Sequence, residues 1–204
     1  MKGLSMSNTP QSSPRTSQYG LLITVVSWGA LVIAASATGV LGALGQHFMP
    51  GFAILVVIGI VVPTVSYFSF PSVRQAVDAI GLRRITLFHV WRIPAGGLFL
   101  YYATSGELPL LFGLIAGVGD VLAGLGAATL LKRQATGTQL RRIHLFGFAD
   151  FITAVGTGLT FTLLNDPLMV TLTTLPMALI PLFGVGLSGS SHIIVLSQLK
   201  RRSV

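Results

Sequence analysis

The chain has 204 residues, of which 52% are hydrophobic and only 9% are charged. Soluble domains carry about 25% charged residues, so this composition excludes an ordinary water-soluble domain and indicates a surface that faces lipid. Cysteine is absent, which excludes disulfides and thiolate sites. The net charge of +8 does not indicate nucleic-acid binding, because Lys and Arg lie in the gaps between apolar segments.

The N-terminal part of the chain is polar and then strongly apolar. Residues 1–18 have too little apolar surface to fold and are predicted to be a disordered cytoplasmic tail, whereas residues 19–204 are predicted to form a single membrane domain. The first apolar segment, residues 21–45, is long enough to span a bilayer. A cleaved secretory signal with a core at 21–33 and a cleavage site at Ala35-Ser36-Ala37 is the alternative.

The remaining segments predict an all-α fold: a polytopic membrane helix bundle with six transmembrane helices. A turn at residues 46–51 is expected to end at Pro50-Gly51, and Pro63 is expected to kink the second span. Residues 71–87 alternate apolar side chains with polar ones, mostly arginine, and are predicted to form a short amphipathic interfacial helix. The six predicted spans are 21–45, 52–70, 88–105, 110–131, 143–164 and 176–199.

The distribution of basic residues predicts the orientation. In a six-span arrangement, every Lys and Arg outside the spans falls on one side of the membrane. The opposite loops carry only Glu107 and Asp166 as formal charges, with His47. Because basic loops stay in the cytoplasm, both termini are predicted to be cytoplasmic.

Charged residues inside the predicted spans are the candidate functional residues, since each costs roughly 2.5–3.5 kcal/mol at the centre of a membrane helix. Asp120 and Asp150 each lie on a helical face of small residues, so the fourth and fifth helices are predicted to pack as an antiparallel pair. Arg92 and His192 fall at similar depth. We therefore predict one buried polar cluster in which Arg92 pairs charge or binds an anion, the aspartates bind a cation or proton, and His192 relays protons.

Structural interpretations of the same residues stay open. Arg92 alternatively extends to the headgroups, and each aspartate alternatively only hydrogen-bonds a neighbouring helix. Ser188 shares a face with His192 and is a candidate ligand contact, although such serines more often bond back to their own helix. Pro94 frees the carbonyl of Val90 from its helical hydrogen bond, close to Arg92.

The histidines are weaker candidates for cofactor ligands. His89, His144 and His192 lie in the same half of three predicted spans, where paired imidazoles hold a b-type haem in other proteins. His89 and His144 lie near span ends, which suits an interfacial role better. There is no zinc-site spacing, phosphate loop or nucleophile motif. No metal or cofactor is predicted, haem is disfavoured, and an enzyme is not favoured.

Four motifs carry a resemblance: Arg92-x-Pro-Ala-Gly-Gly, Gly106-Glu-Leu-Pro109, Ala116-Gly-Val-Gly-Asp120 and His144-Leu-Phe-Gly-Phe-Ala-Asp150. Over about residues 88–199 the chain resembles a family of uncharacterised bacterial membrane proteins with glycine and aspartate in adjacent spans. The resemblance implies a bacterial inner (plasma) membrane protein and carries no activity or cofactor.

These patterns favour a small carrier or ligand- or ion-binding membrane protein with a cytoplasm-facing polar cavity. A homodimer through glycine-rich helix faces is expected besides contact with the lipid bilayer, because six spans are few for a complete carrier. The alternatives are a non-catalytic membrane subunit that packs with a partner, and a haem-binding or enzymatic membrane protein. The candidate binding residues are Arg92, Asp120, Asp150, Ser188 and His192.

Overall fold

The computed structural model describes residues 14–132 and 134–202, and these ranges contain helices and no strand. Helices suit a chain in lipid because each satisfies its own backbone hydrogen bonds. The helices are α1 (Pro14–Ala37), α2 (Val40–Ser69), α3 (Pro71–Ile80), α4 (Leu82–Phe88), α5 (Arg92–Thr104), α6 (Leu110–Ala128), α7 (Gly137–Leu163) and α8 (Val185–Arg202).

Short 3-10 and π-helical turns extend or connect several of these helices. Three 3-10 segments cover His89–Trp91, Thr129–Leu131 and Pro167–Thr173, and a π-helical turn covers Ile180–Gly184. Together with these extensions, five helical stretches within the described ranges are long and apolar enough to cross a membrane. They are Gln18–Ala37, Val40–Ser69, Leu110–Leu131, Gly137–Leu163 and Ile180–Arg202.

The N-terminal hairpin turns earlier than the sequence predicts. The turn lies at Gly39, whose φ of 78° is a left-handed conformation that glycine adopts without strain. The predicted turn at residues 46–51 instead lies within α2, where Phe48 has non-helical angles (φ −156°, ψ 74°). Pro50 therefore falls in the first turn after this break, where its missing N–H is not needed.

The predicted N-terminal tail is only partly described. Residues 1–13 of that tail lie outside the described residues, and α1 already begins at Pro14.

The predicted third span, 88–105, is not one regular helix in the structure. α4, the 3-10 turn His89–Trp91 and α5 follow one another without a loop, so the segment is a helix interrupted in its middle. The interruption lies just before Pro94, which lacks the N–H that a regular helix would need there. The N–H of Arg92 donates instead to the carbonyl of His89 in a 3-10 bond.

Helices α5 and α6 pack most closely, and glycines allow this. A Cβ atom on Gly117 would overlap Leu100 and the carbonyl of Gly96, and one on Gly113 would overlap Ala103. The small-residue face of α6 therefore packs against α5, whereas the sequence predicts α7 as its partner. Helices α6 and α7 do pack as well, with Phe112 against Gly158.

A polar network fastens the amphipathic helix α3 to the bundle. The hydroxyl of Tyr67 donates to Oδ1 of Asp78 at 2.8 Å, and the amide of Gln198 donates to the same oxygen at 2.5 Å. Arg201 donates to the Tyr67 hydroxyl oxygen at 2.7 Å. Helices α2, α3 and α8 are thus joined at the end of the bundle that carries the basic residues.

Candidate functional site

Arg92 lies at the centre of the bundle, at the first residue of α5, and is 3% exposed. Its Nε donates to Oδ1 of Asp120 on α6 at 2.6 Å, and its Nη2 forms an ion pair with Asp150 on α7. One guanidinium thus holds two carboxylates from different helices. We call Arg92, Asp120 and Asp150 the charged triad.

The third nitrogen of the guanidinium is also engaged. Nη1 of Arg92 lies 3.4 Å from the carbonyl of Gly147 and 3.4 Å from Nε2 of His192. Because arginine is only a donor, Nε2 of His192 accepts in the second contact. All three guanidinium nitrogens therefore have partners among the described residues, and Arg92 pairs charge with both aspartates.

Two glycines make room for the charged triad. A Cβ atom on Gly119 would overlap the carboxylate of Asp150, and a Cβ atom on Gly147 would overlap His192 and approach the guanidinium of Arg92. Both glycines stand within the motifs that carry the resemblance. Sequence reasoning did not assign them to the site, because a helical glycine usually reflects helix packing.

Three histidines form a second group beside the triad. His89, His144 and His192, which we call the histidine cluster, come from the 3-10 turn, α7 and α8, and each is 1% exposed or less. Nδ1 of His144 lies 2.9 Å from Nδ1 of His192. The His89 and His192 rings stack with centroids 4.2 Å apart. The sequence placed these residues at similar depth but did not predict their mutual contact.

Two hydroxyl groups lie within hydrogen-bond distance of the Nε2 atoms of His144 and His89 and orient these rings. Oγ1 of Thr86 lies 2.9 Å from Nε2 of His144, and Oγ of Ser191 lies 3.0 Å from Nε2 of His89. Nδ1 of His89 is buried and has no hydrogen-bond partner among the described residues. A buried unpaired nitrogen is unusual and calls for a physical explanation.

Ser188 lies beside the charged triad rather than within it. Its hydroxyl accepts a hydrogen bond from Nε1 of Trp91 at 3.2 Å. The indole of Trp91 packs against Gly184 in the π-helical turn, where a Cβ atom would overlap it. The irregular start of the last helix thus provides space for this tryptophan.

A cavity of about 100 Å³ adjoins the charged triad. Arg92, Asp120 and Ser188 supply polar groups to its wall, which is otherwise mostly apolar. It extends toward Phe112 and Met169, away from the basic end, whereas the sequence predicts a cavity that opens to the basic end. A volume of this size accommodates a few water molecules, each of which occupies about 30 Å³ in the liquid.

A larger cavity of about 1050 Å³ lies among α1, α2, α3, α4 and α8. Its wall is almost entirely apolar, with Arg84 toward the basic end and Ser191 on the side of the histidine cluster.

The structure brings four of the five predicted residues into direct contact and places the fifth next to them. Arg92 contacts Asp120, Asp150 and His192, while Ser188 lines the adjoining cavity. Residues that sequence reasoning missed lie within the same region: Thr86, Gly119, His144 as a partner of His192, Gly147 and Ser191.

Comparison with known proteins identifies a family for this chain but assigns no activity to it. A family model described as a domain of unknown function, DUF8737, matches residues 49–200. No curated protein and no solved structure matches the chain. The family match covers the charged triad and the histidine cluster and begins within α2.

Proposed function

The chain belongs to the DUF8737 family of unknown function, and we propose that it is a small membrane carrier whose charged triad binds a proton or a small monovalent cation. The observation that supports this proposal is one buried guanidinium shared by two carboxylates, Asp120 and Asp150, beside a cavity. Intramembrane charges of this kind line ion and substrate pathways in membrane proteins.

The formal charge of the triad favours binding of a cation. With both carboxylates ionised, the charged triad holds one positive and two negative charges, so its formal charge is −1. An uncompensated charge in a low-dielectric interior is costly. A proton on either carboxylate, or a monovalent cation beside them, neutralises the site, and reversible loss of that ion is how a carrier couples it to a solute.

A purely structural role fits this arrangement less well. A single carboxylate suffices to neutralise Arg92, and the second carboxylate leaves the buried site with excess charge. The cavity that reaches Arg92 and Asp120 also gives an ion or solute space. Neither the second carboxylate nor the cavity is needed if the triad only holds the helices in contact.

We propose six membrane crossings with both termini on the cytoplasmic side. The five long apolar stretches supply five crossings. The sixth consists of α4, the 3-10 turn and α5, which together cover Leu82 to Thr104. This run measures roughly 35 Å along its axis, enough for a hydrocarbon core of about 30 Å.

Replacing one carboxylate tests the proposed ion site. We expect Asp120→Asn or Asp150→Asn to abolish ion binding while leaving a neutral Arg–Asp pair, so that the free energy of unfolding changes by at most about 1–2 kcal/mol. Infrared difference spectroscopy of the protein in liposomes, recorded on changing pH and on exchanging Na⁺, K⁺ and Li⁺, measures carboxyl protonation and cation binding directly.

The matched control is Glu107→Gln, which removes an exposed carboxylate outside the charged triad and should leave the triad's carboxyl signals in place. A wild-type spectrum that responds to neither protons nor cations contradicts the proposal. Equal loss of folded protein in Asp120→Asn and Asp120→Ala also contradicts it, because that result indicates a packing role alone.

A further inference from the structure

We propose that the histidine cluster, His89, His144 and His192, binds a divalent late transition-metal ion of the kind that prefers imidazole ligands, with Zn²⁺ the first example to test. This site adjoins the charged triad through the contact of His192 with Arg92, but it does not depend on the triad's ion. Three observations support it: the convergence of the three rings, the orientation of their nitrogens, and the unpaired Nδ1 of His89.

The three side chains converge from three different parts of the fold. One ring nitrogen from each histidine lies within 4.8 Å of the others, and all three residues are buried. In a tetrahedral zinc site, Zn–N bonds of about 2.0–2.1 Å place the nitrogens about 3.3 Å apart. Small rotations of the imidazole rings therefore bring these nitrogens to ligand spacing.

The hydroxyl groups of Thr86 and Ser191 determine which ring nitrogen of His144 and of His89 carries the lone pair. Thr86 donates its single hydroxyl hydrogen to the carbonyl of Leu82 at 2.8 Å, so its oxygen accepts from Nε2–H of His144. Ser191 likewise donates to the carbonyl of Ser188 at 2.9 Å and accepts from Nε2–H of His89. Both histidines consequently carry their lone pair on Nδ1, and Nδ1 of His144 lies against His192.

Outer hydrogen bonds of this kind are the ones that orient metal-bound histidines and set their tautomer. Nδ1 of His89 has a lone pair and no partner among the described residues. Nδ1 of His144 already uses its lone pair to accept from His192, 2.9 Å away. A metal ion satisfies both nitrogens at once, which explains the unpaired nitrogen of His89.

His192 connects the proposed metal site to the charged triad. Without metal, its Nε2 accepts from Arg92, so its proton lies on Nδ1 and points at His144. Coordination through Nδ1 moves this proton to Nε2. Nη1 of Arg92 can then no longer donate to Nε2, although its contact with the carbonyl of Gly147 does not depend on that nitrogen.

The donor set limits the class of metal. Neutral imidazoles favour Zn²⁺, Cu²⁺ and Ni²⁺, whereas Ca²⁺ and Mg²⁺ need oxygen ligands. Three protein ligands leave a fourth position open, as in zinc sites that also bind water or a small anion.

Metal binding can be measured on the whole protein purified without a histidine tag. We expect chelator-treated wild type to take up one Zn²⁺ per chain in equilibrium dialysis, and Co²⁺ to show the intense visible absorption of a four-coordinate site. His89→Gln, His144→Gln and His192→Gln should each weaken binding by more than the roughly 10- to 100-fold that loss of an outer hydrogen bond costs.

The chain provides a matched control in His47→Gln, since His47 is exposed on α2 and outside the cluster. This variant should bind Zn²⁺ like wild type. Thr86→Val keeps the side-chain volume and all three histidines but removes the hydroxyl acceptor, so it should weaken binding by about 10- to 100-fold without removing a ligand.

Three results would each contradict the proposed metal site. The first is that wild type binds no more Zn²⁺ than the triple His→Gln variant, and the second is that His47→Gln loses as much binding as the cluster variants. The third is that Thr86→Val binds Zn²⁺ like wild type. Asp120→Asn should retain Zn²⁺ binding. The metal site and the ion site proposed for the charged triad therefore fail or succeed independently.

Discussion

At the scale of single residues, Arg92 determines the chemistry of the bundle interior. Its planar guanidinium reaches two carboxylates and a histidine in different directions, which the single point charge of lysine cannot do. Its burial is tolerable because carboxylates neutralise its charge. The stability of the protein therefore depends on the charge balance of the triad more than on any one pair.

Arg92→Gln should destabilise the protein by about 3–5 kcal/mol, because two carboxylates are then buried without a cation. Adding Asp120→Asn and Asp150→Asn to this variant removes both charges and should recover most of the lost free energy of unfolding. Reversible unfolding in detergent measures both effects. If the triple variant is less stable than Arg92→Gln, charge balance is not the controlling factor.

At the scale of helices, glycine decides which elements come close enough for the site to form. The face of α6 that holds Gly113 and Gly117 is buried against α5. The same close approach brings Arg92 at the start of α5 within reach of Asp120 on α6. Packing and charge pairing thus depend on one another.

Two adjacent glycines of α5 allow this packing to be tested. A Cβ atom on Gly96 would overlap the backbone of Gly117, whereas Gly97 has nothing within 4 Å. We expect Gly96→Ala to destabilise the protein by about 1–3 kcal/mol through overpacking. Gly97→Ala should be neutral or stabilising by up to about 1 kcal/mol, since alanine is the better helix former.

Unfolding measurements on the two variants, made under identical detergent conditions, give the comparison directly. Equal stability of Gly96→Ala and Gly97→Ala would show that α5 and α6 do not approach as closely as described.

At the scale of the whole molecule, the bundle has a basic end and an end almost without charge. The basic end holds α3 and the end of α8, joined through Asp78 and Arg201 by way of Tyr67. Large apolar side chains along α1 and α2 are exposed, among them Leu22 and Val57. This outer surface suits lipid, and the charged triad and histidine cluster lie inside it.

The absence of native cysteine makes the proposed topology testable by labelling. Single cysteines at the exposed positions Ala79 and Gln134 should react with an impermeant maleimide only from the cytoplasmic side. Cysteines at Ser105 and Asn165 should react only from the opposite side. Labelling of Ala79 and Ser105 from the same side would contradict a crossing formed by α4 and α5.

Much of the helical organisation could be predicted from the sequence because apolar periodicity and length are local properties. The fourth predicted span, 110–131, matches α6 with its 3-10 extension. Turns were harder to predict. Pro50-Gly51 is usually a turn signal, but the chain turns at Gly39, because a proline is also accommodated just after a helix break.

The charged residues of the candidate site could be identified from the sequence, but the contacts between its residues could not. A charge within an apolar segment is visible without coordinates, and its cost in lipid predicts that it faces other protein groups. The contacts of His144 with Thr86 and of His89 with Ser191 join residues distant in sequence. No periodicity links such residues, so their proximity could not be inferred.

The sequence by itself determined that this is an all-α chain with apolar, membrane-length helices and isolated ionisable residues within them, because these properties depend on residue type and local spacing. Only the tertiary structure decided that α5, rather than α7, covers the glycine face of α6, and that one arginine serves two aspartates. Only the tertiary structure decided that three histidines meet. The physical reason is that side-chain partners depend on how helices rotate and cross, and many crossings bury the same apolar surface.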